Sequence, residues 1–424
     1  MTHQPAAFLE GYRVLDLTDE KGQLCGKILG DMGADVIQIE PPGGDKLRNR
    51  GPFYKDTPDP EKSLPWLYAN LNKRGITLDI ETEDGKAILQ RLVEHADFII
   101  ESFEPGYMEK LGLGYGRLEK IKPDIVMTSI TPFGSKGPYA GYKATDLVGV
   151  SMGGLVRLFG EVDGPPVRFS APQFYYLGSI HGAMGSMVAH YHRELTGEGQ
   201  HVDVSCQQAT ILANRISVET YDLLKINPRG AGPNTPVPRP TPPGPISIPI
   251  VKKCKDGHLV GYMVGGAQAG FVKSSRALVQ WANEEGMAME LKDYKWEALD
   301  GSVMTQEDID WPHRIMDPFF LTKTKAELME KAVEKEIMFI PVNTTEDLAQ
   351  SPQLAYRDFW TDVDHPELGC RLTYPGWPIQ WNRLPPYRPQ RRAPMIGEHN
   401  EAIYGKELGL PNDRLVMLKT HGVI

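Results

Sequence analysis

The chain has 424 residues and only four cysteines, Cys25, Cys206, Cys254 and Cys370, set far apart and without a C-x-x-C pair. That excludes a disulfide framework and reads as a reduced, intracellular protein. Basic residues are not in excess, since 46 Lys+Arg against 55 Asp+Glu give a formal charge of −9. This argues against a nucleic-acid or anionic-membrane partner, although a local cationic cluster can still hold an anionic small molecule. No apolar run reaches the roughly 18 residues of a membrane span. The opening stretch MTHQPAAFLEGYRVLDL has no basic segment leading into an apolar one. Neither a span nor a signal peptide is expected, and the expected location is the cytoplasm. G-x-x-x-x-G-K-[ST] and G-x-S-x-G are absent, and Gly112, Gly114 and Gly116 do not complete G-x-G-x-x-G, so no phosphate-binding loop of those kinds is expected. His190 and His192 fall on different faces of a helix, which makes them a poor metal pair, and no metal site is expected.

What is present suits a folded α/β protein. A 41% hydrophobic fraction with 9% aromatics excludes disorder, and a chain this long can bury a large core without staples. Arg13–Leu17, Gly33–Ile39, Ile76–Ile80, Asp97–Glu101 and Ile125–Ile130 read as strands. Between them lie helical stretches, among them one capped by Thr82 with Glu83 and Asp84 in its first turn, where the helix dipole favours acids. This alternation points to parallel βαβ units. Gly178–Glu194 reads as a helix of small residues made for close packing. From Pro228 to Pro245, eight of eighteen residues are proline, which predicts a stiff, extended connector. The expected organisation is a large domain over 1–227, the connector over 228–245, a small domain over 246–335 holding a strand at His258–Met263, and a C-terminal return over 336–424.

Several clusters stand at expected strand ends, where open α/β sheets bind ligands. Asn72-Lys73-Arg74-Gly75 precedes a strand, and Glu101-Ser102-Phe103-Glu104-Pro105-Gly106 follows one and leads to Lys110. Gly134 to Tyr139 form a flexible turn, with Lys143 and Asp146 beyond it, and Val264-Gly265-Gly266-Ala267-Gln268 is a second flexible segment. An ordinary strand-end turn accounts for each on local grounds equally well.

Taken together, these segments resemble the class III CoA-transferases, the family of the formyl-CoA, carnitine and benzylsuccinate enzymes. The matching stretches include GYRVLD (11–16), GADVIQIEP (33–41), NKRGITLD (72–79), SITPFGSKGPY (129–139), RELTGEGQHVD (193–203) and PMIGEHN (394–400), in order over essentially the whole chain. The resemblance implies a Rossmann-like α/β large domain built from both chain ends, a small central α+β domain, and an interlocked, ring-like dimer with CoA between domains of different chains. By position it implies CoA contacts at Lys73, Arg74, Ser102, Phe103, Lys110 and Lys143. It also places Asp146 beside the reacting acyl group and Gly265, Gly266 and Gln268 in a loop closing over the site. Coenzyme A thioesters and a carboxylic acid are the implied substrates, with no bound cofactor.

The resemblance fails at one position. The family uses an aspartate shortly after the GPPVR-like segment, whose carboxylate takes the acyl group as an anhydride and then carries CoA as a thioester. Counting from Gly164-Pro165-Pro166-Val167-Arg168, that position is Tyr175, and no Asp or Glu occurs between Asp163 and Glu194. A phenol, with its usual pKa of about 10, cannot form an anhydride. The racemase branch needs an acid there too, with a histidine where this chain has Tyr142-Lys143-Ala144-Thr145-Asp146. The resemblance therefore implies a chain with no catalytic residue of its own, partnered by a paralogue carrying the aspartate. The family's two-subunit precedent moves CoA from succinyl-CoA to (R)-benzylsuccinate in anaerobic toluene degradation. A homodimeric acyl-CoA-binding protein is one alternative. A homomeric transferase with its nucleophile relocated to Asp146 or Glu161 is another.

Overall fold

The computed structural model describes residues 7–237, 246–266, 268–299, 304–383 and 389–424. Its chain divides into two compact units, one of residues 1–156, 168–225 and 352–424, the other of 157–167 and 226–351. In the first, six short runs form one sheet: β1 (Arg13–Leu17), β2 (Asp35–Glu40), β3 (Lys73–Thr77), β4 (Phe98–Glu101), β5 (Val126–Thr131) and β6 (Gln200–Ser205). All neighbours are parallel and the order is β3-β2-β1-β4-β5-β6. This is the doubly wound order, and it reverses direction between β1 and β4.

Both faces of the sheet are covered, so the strands from β3 to β5 are buried nearly end to end, while the edge strand β6 exposes Gln200, His201 and Asp203. Leu29 of α1 (Gln23–Asp31), with Ala183 and Ala189 of a long helix, packs on the face of Val14, Val36 and Ile130. Ile88 and Leu89 of α2 (Glu83–Val93) pack on the face of Leu15, Ile37 and Ile99, joined there by Ile403, Tyr404 and Leu418 from the C-terminal return. The start of α2 is as expected: Thr82 Oγ1 accepts from the amide of Gly85 at 3.0 Å. After α3 (Asp146–Met152) comes the long helix, α4 (Phe174–Thr196). Its small residues are needed for approach, because a Cβ at Gly178 would lie 2.3 Å from Cys206 Sγ and one at Gly182 2.8 Å from Ile130 Cδ1.

Three features differ from the sequence reading. Strand β3 starts at Lys73, not Ile76, because the polar Lys73 and Arg74 lie within the sheet. Strand β6 was not expected, since Gln200, His201 and Asp203 break its apolar pattern. The long helix begins at Phe174, four residues before the predicted Gly178.

The second unit holds a β7–β8 pair (Asn234–Val237, Ile246–Pro249) and an antiparallel sheet of order β11-β10-β9 (Phe339–Pro341, Gly257–Gly261, Val251–Cys254). Its longer helices are α5 (Ala269–Glu284), α6 (Gln306–Thr322) and α7 (Lys325–Lys335). Part of the expected connector, residues 238–245, lies outside the described residues, and Asn234–Val237 within it is a strand. The return to the first unit begins at Pro352, later than residue 336, because Phe339 is buried with Leu259 and Phe320 in the second core. Among the described residues no helix is long and apolar enough to cross a membrane.

Candidate active site at the topological switch point

At the carboxyl edge of the sheet, where such folds hold ligands, the loops leaving β1 and β4 are tied together. The loop after β1 brings Asp19 and Lys21 there, and the loop after β4 brings Ser102 and Phe103. Ser102 Oγ donates to Asp19 Oδ1 at 2.9 Å and accepts from the amide of Asp19 at 3.1 Å. The Lys21 ammonium is ion-paired with Asp19, and the Lys21 carbonyl accepts from Ser179 Oγ on α4 at 3.1 Å. Neither Asp19, Lys21 nor Ser179 carries a sequence signal of its own. They become visible only once β1, β4 and α4 are adjacent.

Beneath this rim lies Glu101, 6% exposed. Its carboxylate accepts from the Phe103 amide at 2.7 Å. Burial pushes its pKa up to about 7 against hydrogen bonds from Ser129 and Phe103, and Ser129 Oγ in turn lies 2.8 Å from His201 Nε2. Glu101 thus shapes the turn that presents Ser102 and Phe103, whose ring packs on Tyr107 with centroids 4.7 Å apart.

The cations expected to meet CoA divide sharply. Lys110 is exposed at the end of a short helix, and Lys143 is exposed, bridged to Glu104 at 3.0 Å. Arg74 is bound to Asp35 at 2.6 Å and to Glu407. Lys73 is a correction. It is buried, and its ammonium donates to Asp16 Oδ2 (2.8 Å), the Gln23 carbonyl (2.9 Å) and Gln38 Oε1 (3.0 Å). An ammonium has three hydrogens, so none is left for a phosphate. Its role is to neutralise Asp16 inside the sheet.

At the start of α4 the position of interest is filled. Phe174 and Tyr175 are buried, and the Tyr175 hydroxyl donates to the Ala144 carbonyl at 2.6 Å. Burial, with the Cys206, Asp19 and Asp146 charges adding to it, raises the phenol well above its ordinary pKa of 10, so the phenolate is suppressed. Asp146 Oδ1 accepts from the amides of Gln173 (2.8 Å) and Phe174 (2.9 Å). This carboxylate caps α4 from outside, satisfying amides that no intrahelical carbonyl reaches. Above it, Tyr139 and Tyr142 stack with centroids 5.2 Å apart, and Phe133 meets both at 6.1 and 6.5 Å.

Gly265, Gly266 and Gln268 belong to the second unit and so are described with it. Gly266 has φ +95°, and a Cβ at Gly265 would lie 2.0 Å from the Trp296 carbonyl oxygen. The stem before them is held by Ser275 Oγ to the Val264 carbonyl (2.8 Å) and by His313 Nε2 to the Met263 carbonyl (3.0 Å). Gln268 is exposed at the start of α5.

A separate cavity of about 530 Å³ opens at the opposite edge of the first unit's sheet, between Tyr12, Asp97, Asp124 and Arg193. Its arginine is 5% exposed and is committed to the Asp97 carbonyl at 3.0 Å.

The sheet order defines a doubly wound α/β unit whose strand order reverses between β1 and β4. The chain belongs to CoA-transferase family III, whose family model matches residues 9–400, and it is accordingly a CoA-transferase chain, of the class that works between CoA thioesters and acids. It is 34% identical, over 94% of each chain, to the succinyl-CoA:(R)-benzylsuccinate CoA-transferase subunit BbsE of Thauera aromatica. It is 31% identical to the formyl-CoA:oxalate CoA-transferase of Streptomyces coelicolor, over 99% of this chain and 100% of that one. Among solved structures it resembles a CAIB/BAIF family protein from Brucella suis, with a TM-score of 0.77 and 25% identity over 94% of this chain and 99% of that one.

Proposed function

We propose that this chain is the subunit without a nucleophile in a heteromeric, cytoplasmic CoA-transferase. Its partner, a paralogue, carries the aspartate, and the complex moves CoA from succinyl-CoA to an organic acid, with benzylsuccinate the favoured acceptor. The observation that carries the reading is Tyr175. Its hydroxyl is bound to Ala144 and its phenol is pushed toward the neutral form, so an acyl anhydride has no carboxylate on which to form. The likeness to a named subunit of a two-acid CoA-transferase supports both the partner and the acceptor.

Within this reading Ser102, Phe103, Lys110 and Lys143 are the contacts for CoA, while Lys73 supports the sheet and Arg74 is committed to Asp35 and Glu407 at the amino edge of the sheet. The Gly265-Gly266 segment, with Gln268, is this chain's contribution to a closing loop. The two units exchange partners in an interlocked dimer, so a chain lacking the nucleophile still completes its partner's site. For the relocated-nucleophile alternative, Asp146 and Glu161 are the candidates, and the two α4 amides bound by Asp146 Oδ1 support a capping role for Asp146 instead.

The test is purification from the native source followed by native mass spectrometry and a transferase assay. A stoichiometric paralogue with Asp at the position of Tyr175, and CoA transfer only when both chains are present, supports the reading. A homodimer with full transfer activity overturns it. A homodimer that binds acyl-CoA without transfer points to the acyl-CoA-binding alternative.

A further inference from the structure

We propose that His313 is a positioning residue: from α6 it fixes the stem from which the Gly265-Gly266 segment leaves the second unit's sheet. The proposal rests on the reading of that segment as part of a closing loop. The stem is Tyr262 to Val264, directly after β10, and a different element holds each of its residues. The Tyr262 amide donates to the carbonyl of Met338, just before β11, at 3.1 Å. The Met263 carbonyl accepts from His313 Nε2 at 3.0 Å. Ser275 Oγ of α5 accepts from the Val264 amide at 3.1 Å and donates to the Val264 carbonyl at 2.8 Å. Beyond the stem, the Gly266 amide donates to the Trp296 carbonyl at 2.9 Å.

The ring itself shows that this bond is the reason for a histidine. His313 is 2% exposed, and burial, with the Lys252 charge adding to it, pushes its pKa down to about 3. The ring is therefore neutral and has a single N–H. A carbonyl only accepts, so that hydrogen sits on Nε2 and points at Met263. Nδ1 is left as a bare acceptor, buried and without a partner among the described residues. An unmade buried hydrogen bond is unfavourable, and Leu or Phe would fill the space without one. Packing alone does not account for His313, whereas the bond to Met263 does. The direction it gives the stem matters because the next two residues fit tightly. A Cβ at Gly265 would lie 2.0 Å from the Trp296 carbonyl oxygen, and Gly266 has φ +95°.

The experiment compares wild type, His313→Leu and His313→Gln in the oligomer as purified, by hydrogen exchange and by succinyl-CoA turnover. Gln carries an N–H at nearly the reach of Nε2, and Leu carries none. In the Leu variant, exchange at the Val264 and Gly266 amides should quicken roughly tenfold, while α5 and α6 exchange as in wild type. The share of succinyl-CoA hydrolysed to succinate and CoA, rather than passing its CoA to the acid, should rise roughly fivefold, because a loop that closes poorly admits water. The Gln variant should restore both readings to near wild type. If Leu loosens the whole second unit, His313→Asn, which withdraws the N–H from Met263 but keeps a polar group, takes its place. Unchanged exchange at Val264 and Gly266, or a Gln variant as loose as Leu, overturns the anchor whatever the turnover shows. Faster exchange with an unchanged hydrolysed share, in a complex that transfers CoA, makes His313 merely structural and overturns the positioning role. A wild-type complex without transfer sinks the functional reading and the loop's role with it, while the exchange result still decides the anchor.

Discussion

Tyr175 and Ala144 are joined by a 2.6 Å hydrogen bond that ties the first turn of α4 to the segment carrying Tyr142 and Lys143. Residue 175 has thereby become a strut. Together with the two α4 amides held by Asp146, it fixes that segment against the helix. A Tyr175→Phe variant keeps the ring in its pocket and leaves the Ala144 carbonyl without its donor. We expect a loss of about 1 kcal/mol in unfolding free energy, read by urea denaturation, and an unchanged CoA-transfer rate for the complex. A tenfold or larger loss of rate at intact stability would instead make the hydroxyl part of the chemistry.

Lys73 and Asp16 form a fully buried ion pair inside the sheet. Lys73→Met leaves Asp16 charged, buried and short of its cation, because Thr18 alone remains to bind it, through its amide and hydroxyl. Loss of one partner of such a pair costs about 3–5 kcal/mol. The variant should therefore unfold at markedly lower urea, while any folded fraction binds CoA with wild-type affinity. A selective loss of CoA binding with unchanged stability would return Lys73 to the ligand site.

These two residues show what was legible in the sequence and what was not. Thr82 with Glu83 and Asp84 announced α2 because capping is local, set by neighbours within one turn. The parallel α/β class was legible from alternating apolar runs. Lys73 misled because a lysine before an apolar run looks like a surface cation, and only the pairing of β3 with β2 and the position of Asp16 on β1 show it facing inward. Strand β6 was hidden by His201 and Asp203, polar residues at an edge strand whose partners lie on β5 and the loop after it. The contact of Asp19 with Ser102 spans 83 residues, and no local pattern encodes it.

Glu101 makes the stability of the protein depend on pH in a definite direction. Its pKa is about 7 in the folded chain against an ordinary 4.5, because burial disfavours the charge. Between those values the folded state binds more protons than the unfolded state, so this residue's contribution falls as pH rises and is level above the window. The full drop is about 3 kcal/mol. Glu101→Gln keeps an acceptor for the Phe103 amide and removes the titration. Wild-type unfolding free energy should decline across the window relative to the Gln variant. Parallel curves for the two proteins would show that Glu101 titrates normally.

Asp146 decides between capping and chemistry. As a cap, Asp146→Asn keeps an oxygen for the Gln173 and Phe174 amides but loses the charge that favours the helix N-terminus, so it should cost about 0.5–1 kcal/mol. Transfer by the complex should stay within a factor of a few of wild type. As a relocated nucleophile, the same variant would abolish transfer, and wild-type protein treated with acyl-CoA and hydroxylamine would carry a hydroxamate on Asp146, visible as a mass change in its peptide. We expect no such mass on Asp146 and an adduct only on the partner chain. The physical reason is electrostatic: Oδ1 already accepts two amides at 2.8 and 2.9 Å, and acylating the carboxylate would remove the negative charge that favours the N-terminus of α4.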